Sequence, residues 1–216
     1  TFREKLHGAI PENRVLSHDI LEGAMLKTAV CPVAVYEDAP KDFFEDEQRR
    51  ERWTRGDVQL LPFVLSKKYR KNLNAAAKFV MLQNAFKPLS AFSLFALGIM
   101  AAGFLNLPLA ITFAAIAVLP LILSLGHHLL SLISGKTPLY AFLGAARSVF
   151  EFATGLLLLP YFAVKDFAVF MIAAARMARK KNLLQWRTFF QCKGKFEPLS
   201  LIAPTFFTLA LISTAA

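Results

Sequence analysis

The spacing of apolar and polar positions changes character near residue 88. Before that point the pattern is mixed. Asn13 to Ser17 reads as a short strand or loop feeding a helix from about Asp19 to Thr28. Val30 to Tyr36, with Val33 and Val35 alternating against smaller residues, predicts a strand. Pro40 ends the turn that follows, and a helix is predicted from about Phe43 to Val64, broken near Gly56 or Pro62. Strand, helix, strand, helix predicts an α/β domain over residues 1–66.

After residue 66 the pattern becomes that of a membrane protein. Residues 67–88 join basic positions to an apolar Phe-Val-Met-Leu core, as an amphipathic interfacial helix does. Within the membrane region 89–216, stretches at 89–105 and 109–133 are long enough to cross hydrocarbon, with a short turn at Asn106-Leu107-Pro108. The block 139–178 mixes span and interfacial character, because Arg147, Glu151, Lys165 and Asp166 interrupt it. Two tight spans turning near Pro160, or none, both suit it. A further span starts at 199–216.

Composition sharpens this division. The chain has 216 residues, is 56% hydrophobic and carries a net charge of +10. Residues 1–88 hold 15 of its 25 Lys and Arg and 12 of its 15 Asp and Glu, which predicts a polar head joined to a membrane part. The basic excess suggests nucleic acid at first sight. Its clusters, Lys67 to Lys71 and Arg179 to Lys181, instead flank apolar stretches, as cytoplasmic clusters facing anionic headgroups do. The segment 176–197 is accordingly expected in the cytoplasm, with no nucleic-acid partner. Cys31 and Cys192 stand far apart and form no CxxC pair, against a disulfide scaffold or zinc site. The opening at Thr1 and the apolar ending predict a piece of a longer protein.

Two places could carry chemistry. In Ser17-His18-Asp19-Ile20-Leu21-Glu22-Gly23, Asp19 can act as a general base on a hydroxyl. The same Asp19 with Glu22 three residues on also fits a helix-capping pair. Further along, Arg49, Arg52 and Trp53 share one helix face, where two guanidinium forks can hold a diphosphate and an indole can carry a sugar ring. Gly56 lies one turn beyond and lets a chain approach the backbone. Arg55 and Asp57 flank it and suit pairing with neighbours, and His18, Glu22 and Asp57 are further candidates. His127 and His128 point about 100° apart on a helix and so chelate poorly. Arg147 and Glu151 are expected to pair with each other.

The combination of Asp19 with the Arg49/Arg52/Trp53 face resembles the processive inverting glycosyltransferases of the cellulose-synthase type, with their catalytic Asp, QxxRW helix and membrane helices. Arg49 stands where that motif has Gln. The runs PENRVLSHDILEG, YEDAP, RRERWTRGDVQLLP and LLPYFAVKDFAVFMIAAARMARKKNLLQW look like the cyclic β-1,2-glucan synthases. This likeness covers most of residues 2–190, with Val58 where that family tends to have Trp.

The resemblance implies the C-terminal part of a nucleotide-sugar-binding domain and glucose transfer from UDP-glucose to a glucan acceptor, with inversion. Asp19 would be the base, Arg49 and Arg52 would hold the diphosphate or the acceptor end, and Trp53 would stack on the terminal sugar. A divalent cation, Mg2+ by expectation, would be held by residues upstream. The setting implied is the bacterial inner membrane with the catalytic segment cytoplasmic. A linear polysaccharide synthase and a non-catalytic glycan-binding or transport subunit are the competing readings.

Overall fold

The computed structural model describes residues 14–16, 19–26, 32–34, 36, 39–40, 42–70 and 73–185. Helix accounts for 81% of them and none lies in a strand, which corrects the α/β expectation. The physical reason is visible at Val30–Tyr36. Alternation yields a strand only where a neighbouring strand supplies ladder partners and a second layer covers one face. Val33 is 68% and Tyr36 94% exposed, so neither side chain has such cover. Arg14 to Leu16 are irregular as well. Val30, Cys31 and Val35 lie outside the described residues.

The helices follow from local chemistry. α1 spans Asp19–Leu26 and opens with two acidic residues, Asp19 and Glu22, in its first turn, where the helix dipole favours negative charge. α2 spans Phe43–Gln59. Its start is set by Asp42, whose Oδ1 accepts the Glu45 N–H at 2.8 Å, satisfying one of the free amides of the first turn. Its end is set by Pro62, which has no N–H to return to the preceding turn. The chain tightens instead, with the Leu60 N–H donating to the Asp57 carbonyl at 3.1 Å, and α3 begins at once as Leu61–Leu65. The predicted break thus falls at Pro62, while Gly56 is buried inside α2.

α4, Lys67–Arg70, is a single turn. α5, Ala75–Phe86, is capped by Asn74, whose side chain accepts from the Ala77 N–H at 2.7 Å. α6 is Pro88–Gly103, α7 Leu107–Ile133, α8 Pro138–Leu157 and α9 Leu159–Arg179.

The chain forms two units. One comprises residues 1–89 and 166–196, the other residues 90–165 and 197–216. In the first, Val15, Leu21 of α1, Leu60 just before α3, Phe63 and Val64 of α3, Leu73 just before α5, and Met81 of α5 make the apolar core, with Ile20, Met25 and Tyr69 packed against it. The rings of Phe63 and Tyr69 lie 4.8 Å apart. Each fully buried side chain of this kind stabilises by roughly 1.5–3 kcal/mol, so this core fixes α1 against α3 and α5.

In the second unit α7 and α8 pack together antiparallel. Ser124 meets Ser148, Oγ to Oγ, at 2.7 Å, and four residues on His128 reaches back to Ser148 at 3.3 Å. The contact is close because α8 carries Gly144, where a Cβ would stand 2.3 Å from the His128 ring. Small residues at a helix contact let apolar helices approach in this way. The Gly135 backbone, at φ +82°, ends α7 with the Lys136 N–H on the Ser131 carbonyl at 3.0 Å and its own N–H on Leu132 at 3.1 Å. This is the Schellman stop. As expected, Arg147 pairs with Glu151, at 2.7 Å.

Among the described residues α7 is the one helix long and apolar enough by itself to cross a membrane. The pairs α5 with α6 and α8 with α9 meet the same requirement only jointly, each across a break, so the number rises to three if each pair is one span. The break within the second pair comes at Leu158, two residues from Pro160.

Candidate functional site

The first unit holds a cavity of about 210 Å³ lined by Asp19, Ile20, Trp53, Asp57, Leu60 and Asn84. Three segments build it. α1 delivers Asp19 at its first position, held by Leu21, which is fully buried in the core. Trp53 and Asp57 of α2 and Leu60, just past its end, follow at i, i+4 and i+7 and therefore share one stripe. Asn84 comes from α5, the next helix packed on α2. The wall combines an aromatic plate, two carboxyl groups, an amide and two aliphatic side chains. That chemistry suits a small polyhydroxylated ligand, with a ring on the indole and hydroxyls on the polar tips. The volume is below the roughly 300–1,000 Å³ of a pocket for a drug-sized ligand, so a single sugar ring fits it better than a whole nucleotide-sugar.

The structure thus brings together three of the residues singled out in the sequence: Asp19, Trp53 and Asp57. Arg49 is not part of the lining. Its guanidinium lies over the Trp53 ring, 4.8 Å from the centroid, and its Nη2 donates to Asp46 Oδ1 at 2.6 Å. Arg52, Gly56 and Glu22 also stand outside the lining, Arg52 and Glu22 half-buried. His18 falls outside the described residues.

Asp57 carries the second carboxyl of the cavity. Burial pushes its carboxyl up to about 6, against the opposing pull of Lys87. A carboxyl near neutrality can donate as well as accept a hydrogen bond within one pH unit of physiological conditions. Arg55 points elsewhere. It is buried, and burial followed by the Arg176 charge lowers its pKa while Glu51 raises it. It is tied to the Gln185 carbonyl and lies 3.9 Å from Glu51.

Asn84, Ile20 and Leu60 were missed in the sequence. Asn84 sits in a stretch read as an interfacial helix, and its one signal is a polar residue beside the apolar Phe79-Val80-Met81-Leu82 run. Among the described residues no three His, Cys, Asp or Glu side chains gather where they could hold a metal. The divalent cation that the resemblance implies is expected to be held by residues upstream of this stretch.

One curated protein settles what the chain resembles. Over 138 residues it is 32% identical to the cyclic beta-(1,2)-glucan synthase NdvB of Rhizobium meliloti (strain 1021). This bears out the likeness read from the SHDILEG and RRERWTRGD runs. The matched stretch is 63% of this chain and 5% of that protein. No family model matches the chain, and no solved structure does.

Proposed function

We propose that this chain carries the acceptor side of an inverting glycosyltransferase that moves glucose from UDP-glucose onto a growing β-1,2-glucan at a membrane. The observation that supports it most is that Asp19 and Trp53, distant in sequence, line one sugar-sized cavity. The likeness to a cyclic glucan synthase supplies the substrate class.

In this reading the terminal ring of the glucan rests against Trp53, with Asp57 and Asn84 on its hydroxyls. Asp19 takes the proton of the attacking hydroxyl as that oxygen bonds to the anomeric carbon of glucose. The bond from that carbon to the UDP oxygen breaks, its electron pair leaves with UDP, and the centre inverts. Such a positioned base contributes roughly 10²–10⁴ in rate. The basic clusters at Lys67–Lys71 and Arg179–Lys181 favour a cytoplasmic face of the inner membrane for this site.

The test is Asp19→Asn in the full-length protein. Asn is nearly isosteric and ranks with Asp at helix N-termini, but it cannot take a proton. Incorporation of labelled glucose from UDP-glucose should be abolished, with expression and melting temperature near the parent's. Activity within a few-fold of the parent would reduce Asp19 to a helix-end residue.

A further inference from the structure

Gln59, the last residue of α2, is 3% exposed, and both ends of its amide are engaged. Its Oε1 accepts the backbone N–H of Leu16 at 2.7 Å. Its Nε2 donates to the carbonyl of Leu183 at 2.9 Å. An amide has one accepting and one donating end, so both bonds are made in one orientation only. The partners lie 43 residues before it and 124 after it.

Where these partners sit gives the bridge its meaning. Leu16 stands three residues ahead of Asp19. Val15 beside it is part of the buried core, so the segment is gripped by apolar contact on one residue and by Gln59 on the next. Gln59 belongs to the same helix as Trp53 and Asp57. Leu183 follows α9, and Arg55, one turn back from Gln59, is bonded to Gln185 of that same segment. One side chain therefore joins the strand of chain leading to the base, the helix carrying the aromatic plate, and the segment behind them.

We infer that Gln59 is a positioning residue, which sets the approach of the Asp19-bearing segment to Trp53 by bridging Leu16 and Leu183. This rests on the transfer reaction proposed above. Apolar packing alone leaves a segment free to slide by fractions of an ångström, whereas the Leu16 N–H on Gln59 Oε1 pins this one, and the bond from Nε2 to the Leu183 carbonyl holds the amide in the orientation that makes it. Displacement of a reacting group by about 1 Å can cost on the order of 10²-fold in rate.

The experiment compares Gln59→Leu and Gln59→Glu in the full-length protein, in membranes, over a range of pH. Gln59→Leu keeps the volume and loses both bonds. Its kcat for glucose transfer should fall roughly 10- to 100-fold, with the KM for UDP-glucose near the parent's. Gln59→Glu offers the parental donor and acceptor when protonated, and has no donor for the Leu183 carbonyl when ionised. Its rate relative to the parent, taken at each pH so that the parent's own titrations cancel, should therefore be highest at the acid end and fall as pH rises.

Parental kcat in Gln59→Leu overturns the inference. So does a Gln59→Glu ratio that is flat with pH, or one that merely follows the folded fraction read by thermal denaturation at each pH. Asp19→Asn measured alongside separates the two levels: if it is active, the transfer reading itself fails. If it is silent while Gln59→Leu is unimpaired, only the bridge fails.

Discussion

The Arg49 guanidinium lies 4.8 Å from the centre of the Trp53 ring, and Asp46 holds it there through a 2.6 Å ion pair. The indole is thus steadied by a cation on one side and borders the cavity with what remains. Arg49 thus rests on the plate, an arrangement worth roughly 0.5–1 kcal/mol at an exposed site, and a phosphate approaching it would compete with Asp46 for the guanidinium.

Trp53→Ala should weaken elongation far more than donor binding. The expected loss is about 1–3 kcal/mol if a sugar ring on an indole compares with a base on an aromatic side chain, and Trp53→Phe should recover part of it. Polymer yield and UDP affinity measured side by side check this. An equal fall in both would make Trp53 a packing residue.

Asn84→Ala removes one amide from the cavity. The KM for an oligoglucan acceptor should rise by roughly tenfold at most, the worth of one hydrogen bond, and the KM for UDP-glucose should stay put. A change confined to UDP-glucose would place the donor, not the acceptor, against α5.

Asp57→Asn tests the half-buried carboxyl. Its folded-state pKa of about 6 lies above the ordinary 3.8. Between those values the unfolded chain loses its proton first, so the parent loses stability as pH rises from about 4 to 6 and levels off above that. The Asn variant lacks this loss. Its melting temperature should match the parent's near pH 4 and exceed it at pH 7. A constant difference across that range would contradict the shift.

Much of the framework was legible because it rests on local rules. The break near Pro62, the turn at Asn106-Leu107-Pro108 and the Arg147–Glu151 pair each depend on residues within one or two turns. The strand expected at Val30–Tyr36 rested on alternation alone, which says nothing about whether a partner exists to pair with it, and Val33 and Tyr36 lie exposed outside any strand. In the candidate site, Asp19 and Trp53 announced themselves by residue type. Asn84 and Gln59 did not, since their meaning comes from elements brought together by the core around Leu21, Phe63 and Met81.

In the apolar unit, Gly144→Ala places a methyl against the His128 ring and should displace it from Ser148. Overpacking of this sort costs typically 1–3 kcal/mol, about the scale of a measurable fall in melting temperature. Adding His128→Ala should restore part of the loss. If the double variant is no more stable than Gly144→Ala alone, the ring is not what Gly144 accommodates.

The ties from Arg55 to Gln185 and from Gln59 to Leu183 bear on how the polar head can be produced alone. A recombinant version cut after residue 89 keeps both side chains and discards both carbonyls. Each buried polar group so stranded costs roughly 1–3 kcal/mol, a large share of the margin on which a domain this small stays folded. Residues 166–185 therefore have to be grafted back through a linker that replaces the apolar helices, or this unit will be purified, if at all, as something looser than it is in the whole chain.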